Sequence, residues 1–192
     1  MITRLCVFCG SSSGANPAYV DAAIVFGNAL AENDIELVYG GGRLGLMGAI
    51  ADTVLERGGR VTGVIPDFLV GKEVAHTGLS ELIVVESMHT RKAKMAELAD
   101  GFVALPGGFG TFEEFIEVLT WSMLGFHSKP CALLNVNGYY DKLLDMFNHA
   151  VTEGFVPGRH RDMVVLETDP VVLVSRLMEY KHTTAPKFTD KT

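Results

Sequence analysis

The segment Pro106-Gly107-Gly108-Phe109-Gly110-Thr111-Phe112-Glu113-Glu114 lies between an apolar run, Gly101-Phe102-Val103-Ala104-Leu105, and an amphipathic stretch over 112–124. A strand that passes through a glycine-rich turn straight into a helix is a β-α joint. It commits the chain to an architecture in which strands and helices alternate. Two further glycine-rich segments, Gly10-Ser11-Ser12-Ser13-Gly14 and Gly40-Gly41-Gly42-Arg43-Leu44-Gly45-Leu46-Met47-Gly48, also follow strand-like runs. Apolar or β-branched runs at 5–9, 36–39, 60–65, 82–85, 101–105, 131–134 and 163–166 predict strands covered on both faces. Segments at 18–32, 46–57, 89–99, 111–124, 139–153 and 171–180 predict helices. The alternation predicts an α/β fold, a doubly wound parallel sheet of about seven strands with helices on both faces. Residues 67–80 lack clear periodicity and predict a surface loop over the sheet edge. Residues 1–180 read as one domain, and the polar tail 181–192, with Pro186, as disordered.

Composition narrows the function classes. The net charge of −7 argues against broad electrostatic binding to nucleic acid or to an anionic membrane. No apolar stretch is long and charge-free enough for a membrane span, and the first apolar run is too short for a signal peptide. Three cysteines do not make a disulfide framework, so a reducing cytoplasm is the expected setting. Cys6 and Cys9 have C-x-x-C spacing, but residues three apart on a strand point to opposite faces. Neither a redox pair nor a zinc site is expected there. The histidines show no metal-ligand spacing, and no metal is expected.

The glycine turns carry the chemistry. Glycines let a backbone approach a ligand without Cβ interference. The first turn of the following helix presents unpaired N–H groups at a positive dipole end, an anion site for which phosphate is the usual occupant. The Pro106 loop lacks the Gly-Lys-Ser/Thr of a P-loop and instead delivers Glu113 and Glu114. Thr111-x-x-Glu114 also fits a capping box, so Glu114 has two readings, a cap and a functional carboxylate. Gly40-Gly41-Gly42-Arg43-Leu44-Gly45 fits the dinucleotide fingerprint, with Asp67 roughly 20 residues on as a ribose acid. That motif follows the second strand rather than the first, which weakens the dinucleotide reading.

Ser87 is expected to cap a helix on which Met88, Arg91, Lys92 and Met95 share one face. Two readings stand for that face. It is a solvated basic surface with two core methionines, or a site where thioethers pack on a base and the cations meet a phosphate. Further along, Val118, Leu119, Trp121, Met123 and Leu124 make the helix after Glu117 apolar on nearly every side. One sheet cannot cover it all, so a second subunit is expected on the other side, with Val118 among the partner-facing residues.

The pattern PGGxGTxxE, filled by Pro106, Gly107, Gly108, Gly110, Thr111 and Glu114 and preceded by Met88-His89-Thr90-Arg91-Lys92, resembles the Lonely Guy (LOG) family. The likeness extends to the two earlier glycine segments and runs from about Leu5 to about Tyr180. It implies a Rossmann-like homodimer, or an assembly of dimers, that hydrolyses the N-glycosidic bond of cytokinin riboside 5′-monophosphates or AMP. The products are the free base and ribose 5-phosphate. Arg91 and Glu114 take the family's catalytic positions. Lys92 and the loop Gly107, Gly108, Phe109, Gly110, Thr111, Phe112 and Glu113 take its substrate contacts, Met88 joins them from its helix face, and Glu73 is the counterpart of a further glutamate. Ser12, Gly41, Gly42, Gly45, Met47 and Gly48 fall in the other phosphate-type loops. Thr90 departs from the Glu or Gln of many members. The family has carried the label lysine decarboxylase, yet no motif for pyridoxal phosphate is present. No cofactor is expected, since water is the only second substrate. A nucleotide carrier without hydrolysis is the alternative, and an NAD-dependent enzyme a third.

Overall fold

The computed structural model describes residues 1–71 and 75–182. Glu73 and the tail from residue 183 lie outside the described residues. Seven strands form one parallel sheet: β1 (Arg4–Phe8), β2 (Glu36–Tyr39), β3 (Val61–Pro66), β4 (Glu81–Val85), β5 (Gly101–Ala104), β6 (Cys131–Leu134) and β7 (Val164–Glu167). Their order is β4-β3-β2-β1-β5-β6-β7. Each strand matches one of the seven apolar runs to within one residue at either end. The order reverses at β1, which pairs with β2 on one side and β5 on the other. Connections leaving the two strands at a reversal diverge to opposite faces, which opens a crevice at the carboxyl edge.

Among the described residues, seven α-helices lie between the strands and an eighth follows the last one: α1 (Ala18–Glu32), α2 (Gly45–Glu56), α3 (Asp67–Val70), α4 (Met88–Leu98), α5 (Phe109–Leu124), α6 (Asp141–Thr152), α7 (Gly158–Arg161) and α8 (Pro170–Met178). The alternation of side chains along each strand divides the core in two. Leu5, Val7 and Cys9 pack with α1, α2 and α8, whereas Cys6 and Phe8 pack with α4, α5 and α6. The two cysteines of the C-x-x-C spacing are therefore separated by the sheet. All three thiols are free and buried. Burial pushes the Cys131 thiol up to about 12.

Helix boundaries differ from the sequence reading where glycine or proline intervenes. A 3₁₀ turn, Val136–Gly138, precedes α6 because Asn137 and Gly138 take positive φ, 51° and 69°, which an α-helix cannot continue through. Asp169 caps α8 by accepting from the N–H groups of Val171 and Val172, with Pro170 in the first turn. The segment expected as a plain loop over 67–80 contains the single turn α3 and an antiparallel bridge from Ala75 to Gly42.

Helix α5 needs two corrections. It begins at Phe109 with Gly108 as its cap, so Thr111 stands inside the first turn and no side chain caps the helix. The capping-box reading of Glu114 falls with that boundary. Val118 is 3% exposed and packs with Phe115 into the core between α5 and the sheet. Burying side chains of this kind contributes about 1.5–3 kcal/mol each. Val118 thus cannot face a partner. The outward side carries Ile116, Leu119 and Met123, which line an apolar groove with Phe147 and Val156. Among the described residues, no helix is long and apolar enough to cross a membrane.

Candidate active site

The three glycine-rich segments meet at the carboxyl ends of β1, β2 and β5. The Gly10 N–H donates to the Pro106 carbonyl at 3.1 Å, and the Leu46 and Met47 N–H groups donate to the Gly10 carbonyl at 3.0 and 3.3 Å. Their backbones are so close that a Cβ on Gly45 would sit 2.4 Å from the Ser11 carbonyl carbon. Above them lies a cleft of about 340 Å³, lined by Gly10, Ser11, Gly40, Met47, Leu69, Met88, Arg91, Met95 and the start of α5. A neighbouring recess of about 350 Å³ shares Gly10, Ser11 and Gly108 and is walled by Ser12, Gly107, Tyr19 and Tyr139.

One wall of the cleft is the N-terminus of α5. Its first internal hydrogen bond runs from the Phe112 N–H to the Gly108 carbonyl at 3.1 Å. The N–H groups of Phe109, Gly110 and Thr111 come before that bond and have no acceptor within the helix. Around Gly108 and Gly110 a Cβ would meet nothing within 4 Å, so the approach to those amides is open. With the dipole of a 16-residue helix behind them, they form an anion site.

The charged pair joins the two walls, with Arg91 supplied by α4 and Glu114 by α5 itself. Arg91 is 7% exposed and Glu114 is 9% exposed, with Nη1 and Oε1 3.6 Å apart. Arg91 is fixed from three directions. Its Nε donates to the Val64 carbonyl at 3.1 Å, its Nη2 to the Gly40 carbonyl at 3.3 Å, and its Nη1 approaches the Met88 sulfur at 3.9 Å. Gly40 makes this possible, since a Cβ there would lie 2.0 Å from Nη2. The triple-glycine run of the apparent dinucleotide fingerprint therefore serves Arg91 at its first position and loop packing at Gly45. Asp67, the expected ribose acid, instead accepts the Phe68 N–H at 2.6 Å at the start of α3. Cys9 also lines the cleft. Burial first, and then the charge of Glu114, raises its thiol far above the usual range, so it stands there as a neutral group.

Of the residues singled out in the sequence, Met47, Met88, Arg91, Gly108, Phe109, Gly110, Thr111, Glu113 and Glu114 line the cleft. Ser12 and Gly107 line the adjoining recess. Gly41, Gly42, Gly45 and Gly48 line neither. Phe112 turns away and stacks on Tyr139, 6.4 Å between centroids. Lys92 is held by Glu113 and, at 3.0 Å, by Glu117. Burial alone lowers its pKa, but the hydrogen bonds it donates to both carboxylates outweigh that and leave it raised. Ser87 caps α4 as expected, accepting from the Thr90 N–H at 3.1 Å, and Thr90 returns a hydroxyl contact at 2.8 Å. Gly40, Ser11 and Leu69 were not picked out in the sequence. Only the glycine run at 40–42 marked one of them.

Glycine loops at the switch point of a doubly wound sheet, with a helix N-terminus and a buried Arg–Glu pair in one cleft, define the class, an α/β protein with an anion site beside an ion pair. Comparison with known proteins narrows the class. A family model described as "Possible lysine decarboxylase" matches residues 47–177. The probable cytokinin riboside 5′-monophosphate phosphoribohydrolase LOGL9 of Oryza sativa subsp. japonica is 54% identical over 177 residues, 92% of this chain and 78% of that protein. The cytokinin riboside 5′-monophosphate phosphoribohydrolase LOG2 of Arabidopsis thaliana is 49% identical over 187 residues, 97% of this chain and 86% of that protein. The chain belongs to this family, the Lonely Guy (LOG) family, as its sequence motifs imply. Among solved structures, the molybdenum cofactor binding protein of Rippkaea orientalis shares the fold at a TM-score of 0.70, with 19% identity, 93% of this chain and 97% of that one. The molybdenum cofactor carrier protein of Chlamydomonas reinhardtii does so at 0.70, with 21% identity, 94% of this chain and all of that one. The decarboxylase wording of the family model finds no lysine among the described residues lining the cleft, where a Schiff base would need one.

Proposed function

We propose that the protein hydrolyses the bond between ribose C1′ and the base in nucleoside 5′-monophosphates, of the cytokinin riboside or adenosine type. The observation that carries this is one cleft holding both the free amides of α5 and the buried Arg91–Glu114 pair. Thr111 and Glu114 are three residues apart on the helix and share its cleft side. A 5′-phosphate bound at the amides therefore sets its own ribose beside Glu114. As the C1′–N9 bond breaks, its electron pair passes to the base and positive charge grows on the sugar. The carboxylate of Glu114 stabilises that charge and takes a proton from the attacking water, whose oxygen forms the new bond to C1′. Arg91, tied to two carbonyls, holds the carboxylate in place and faces the departing base. The departing base gains one proton, which balances the one Glu114 takes and later releases, so the products are free base and ribose 5-phosphate. The names of the relatives support the same chemistry.

The test is incubation with AMP, isopentenyladenosine monophosphate and adenosine, with free base measured by chromatography. We expect release from the monophosphates and at least about a hundredfold slower release from adenosine, because binding energy at a remote phosphate is used at the reacting centre. Equal rates with and without phosphate would remove the anion site from the mechanism. Binding without release would return the carrier reading.

We also propose a homodimer in a reducing, cytoplasmic setting. The outward groove of α5, about 200 Å³, and the exposed Phe126 and Phe155 nearby support a partner on that face. Leu119→Asp is expected to halve the mass seen by sedimentation and to lower AMP turnover with it. A monomer with full turnover would show that the partner adds nothing to the site.

A further inference from the structure

Four successive carbonyl oxygens lead from β5 into α5, and each is bound by a donor other than the ligand. The Leu105 oxygen accepts from the Tyr140 hydroxyl at 2.6 Å. The Pro106 oxygen accepts from the Gly10 N–H at 3.1 Å. The Gly107 oxygen accepts from the Tyr139 hydroxyl. The Gly108 oxygen accepts from the Phe112 N–H at 3.1 Å. An anion site built from a turn needs this arrangement. A peptide unit that flips presents its carbonyl where its N–H stood, and a carbonyl dipole aimed at a phosphate repels it.

Both tyrosines come from the turn after β6, a part of the chain with no motif of its own. The turn is rigid for a visible reason. Asn135, 5% exposed, accepts the Tyr140 N–H at 2.7 Å, donates to the Asp141 carboxylate at 2.8 Å and donates its own N–H to the Glu167 carbonyl at 2.8 Å. The Tyr139 ring is boxed by Tyr19, Phe112 and Tyr140 at 5.7, 6.4 and 5.1 Å between centroids. Each hydroxyl therefore arrives at its carbonyl on a side chain with little freedom left.

We propose that Tyr139 is a positioning residue for the phosphate site, and that Tyr140 supports it. Its hydroxyl holds the Gly107 carbonyl, which fixes the Gly107–Gly108 peptide plane and with it the start of the turn that presents the Phe109, Gly110 and Thr111 amides. This rests on the reading of the α5 N-terminus as the 5′-phosphate site, and it assigns the quality of that site to residues that do not line the catalytic cleft.

Tyr139→Phe is the direct test, since it removes the hydroxyl and keeps the boxed ring. Two quantities are read: the Kd for ribose 5-phosphate by calorimetry, and kcat and KM for AMP. We expect Kd and KM to rise about five- to tenfold, the usual effect of one hydrogen bond, with kcat within about threefold of the parent. A role limited to general stability would not single out the phosphate-bearing ligand in this way. Unchanged Kd and KM, or a loss in kcat with Kd unchanged, overturns the inference while leaving the hydrolase reading intact. If the parent binds ribose 5-phosphate but releases no base from AMP, the hydrolase reading falls and the Kd comparison still decides the role of Tyr139. If the parent binds no ribose 5-phosphate, both fall. Tyr140→Phe leaves a buried carbonyl unpaired, so its expected first effect is a lower melting temperature, and it serves as the stability control.

Discussion

The two rims of the sheet treat their carboxylates in opposite ways. At the amino rim Glu36 is bound by Arg4 at 3.1 Å, Arg60 at 3.8 Å and the Thr62 hydroxyl at 2.6 Å. Asp100 accepts from the Thr3 N–H, the Thr3 hydroxyl and the Arg4 N–H at 2.8, 2.9 and 3.0 Å. Both acids tie one segment of backbone to another. At the carboxyl rim Glu114 is buried to a similar degree as Glu36, stands 3.6 Å from Arg91 and lines a cleft. Cavity size does not separate the rims, since the hollow near Glu36 and Arg57 is about 450 Å³ against about 340 Å³ for the candidate cleft. What separates them is helix polarity. The hollow at the amino rim, lined by Arg4, Arg57 and Arg60, receives the carbonyl ends of α1 and α2, whereas the cleft receives the amide end of α5.

Three experiments sharpen the contrast or break it. The largest effect is expected from Glu114→Gln, which preserves shape and removes the carboxylate. Base release from AMP should fall by about a hundredfold to ten-thousandfold while circular dichroism is unchanged. Retained turnover would place Glu114 with the structural acids of the other rim. A smaller loss, about tenfold or more in kcat/KM, is expected for Gly40→Ala, because the new methyl displaces the Arg91 guanidinium that it would otherwise overlap. Normal kinetics in that variant would mean that the Arg91 position is not needed for turnover.

The smallest effect belongs to the amino rim. Burial of Asp100 on its own raises its pKa, but the hydrogen bonds from Thr3 and Arg4 outweigh it and leave the carboxyl lowered. The stability this supplies is present above the unfolded-state pKa, near 4, and is lost as pH falls through the lower folded-state value. Asp100→Asn should therefore melt about 1–3 °C below the parent at pH 7, with the gap closing in acid and AMP turnover unchanged. A gap that persists at low pH would mean that the hydrogen bonds, not the charge, supply the difference.

The fold was legible because each strand is a short apolar run bounded by glycine or polar residues, and a buried parallel strand leaves that record in the chain. The site was legible in part. Arg91 and Glu114 stand in motifs whose spacing marks them. The start of α5 was not, because a glycine cap has no side-chain oxygen to announce it, and Phe109-Gly110 is a poor opening for a helix by propensity. The outward face of α5 was misassigned for a related reason. A helix apolar on nearly all sides has no stripe to distinguish Val118, which faces the sheet, from Ile116, which does not. Gly40 and Arg91 are 51 residues apart, and Tyr139 and Gly107 are 32 apart. No local pattern connects such pairs, since only the pairing of strands brings them together.

The contact between Gly40 and Arg91 also limits how a lineage can change. The volume a side chain would fill at position 40 is already filled by the guanidinium of residue 91. A substitution at 40 alone evicts the arginine, and loss of the arginine alone leaves a hole beside Gly40. Descendants that acquire a side chain at 40 are therefore expected to carry something other than this guanidinium at 91, so a glycine here marks a chain that keeps the arginine in this position.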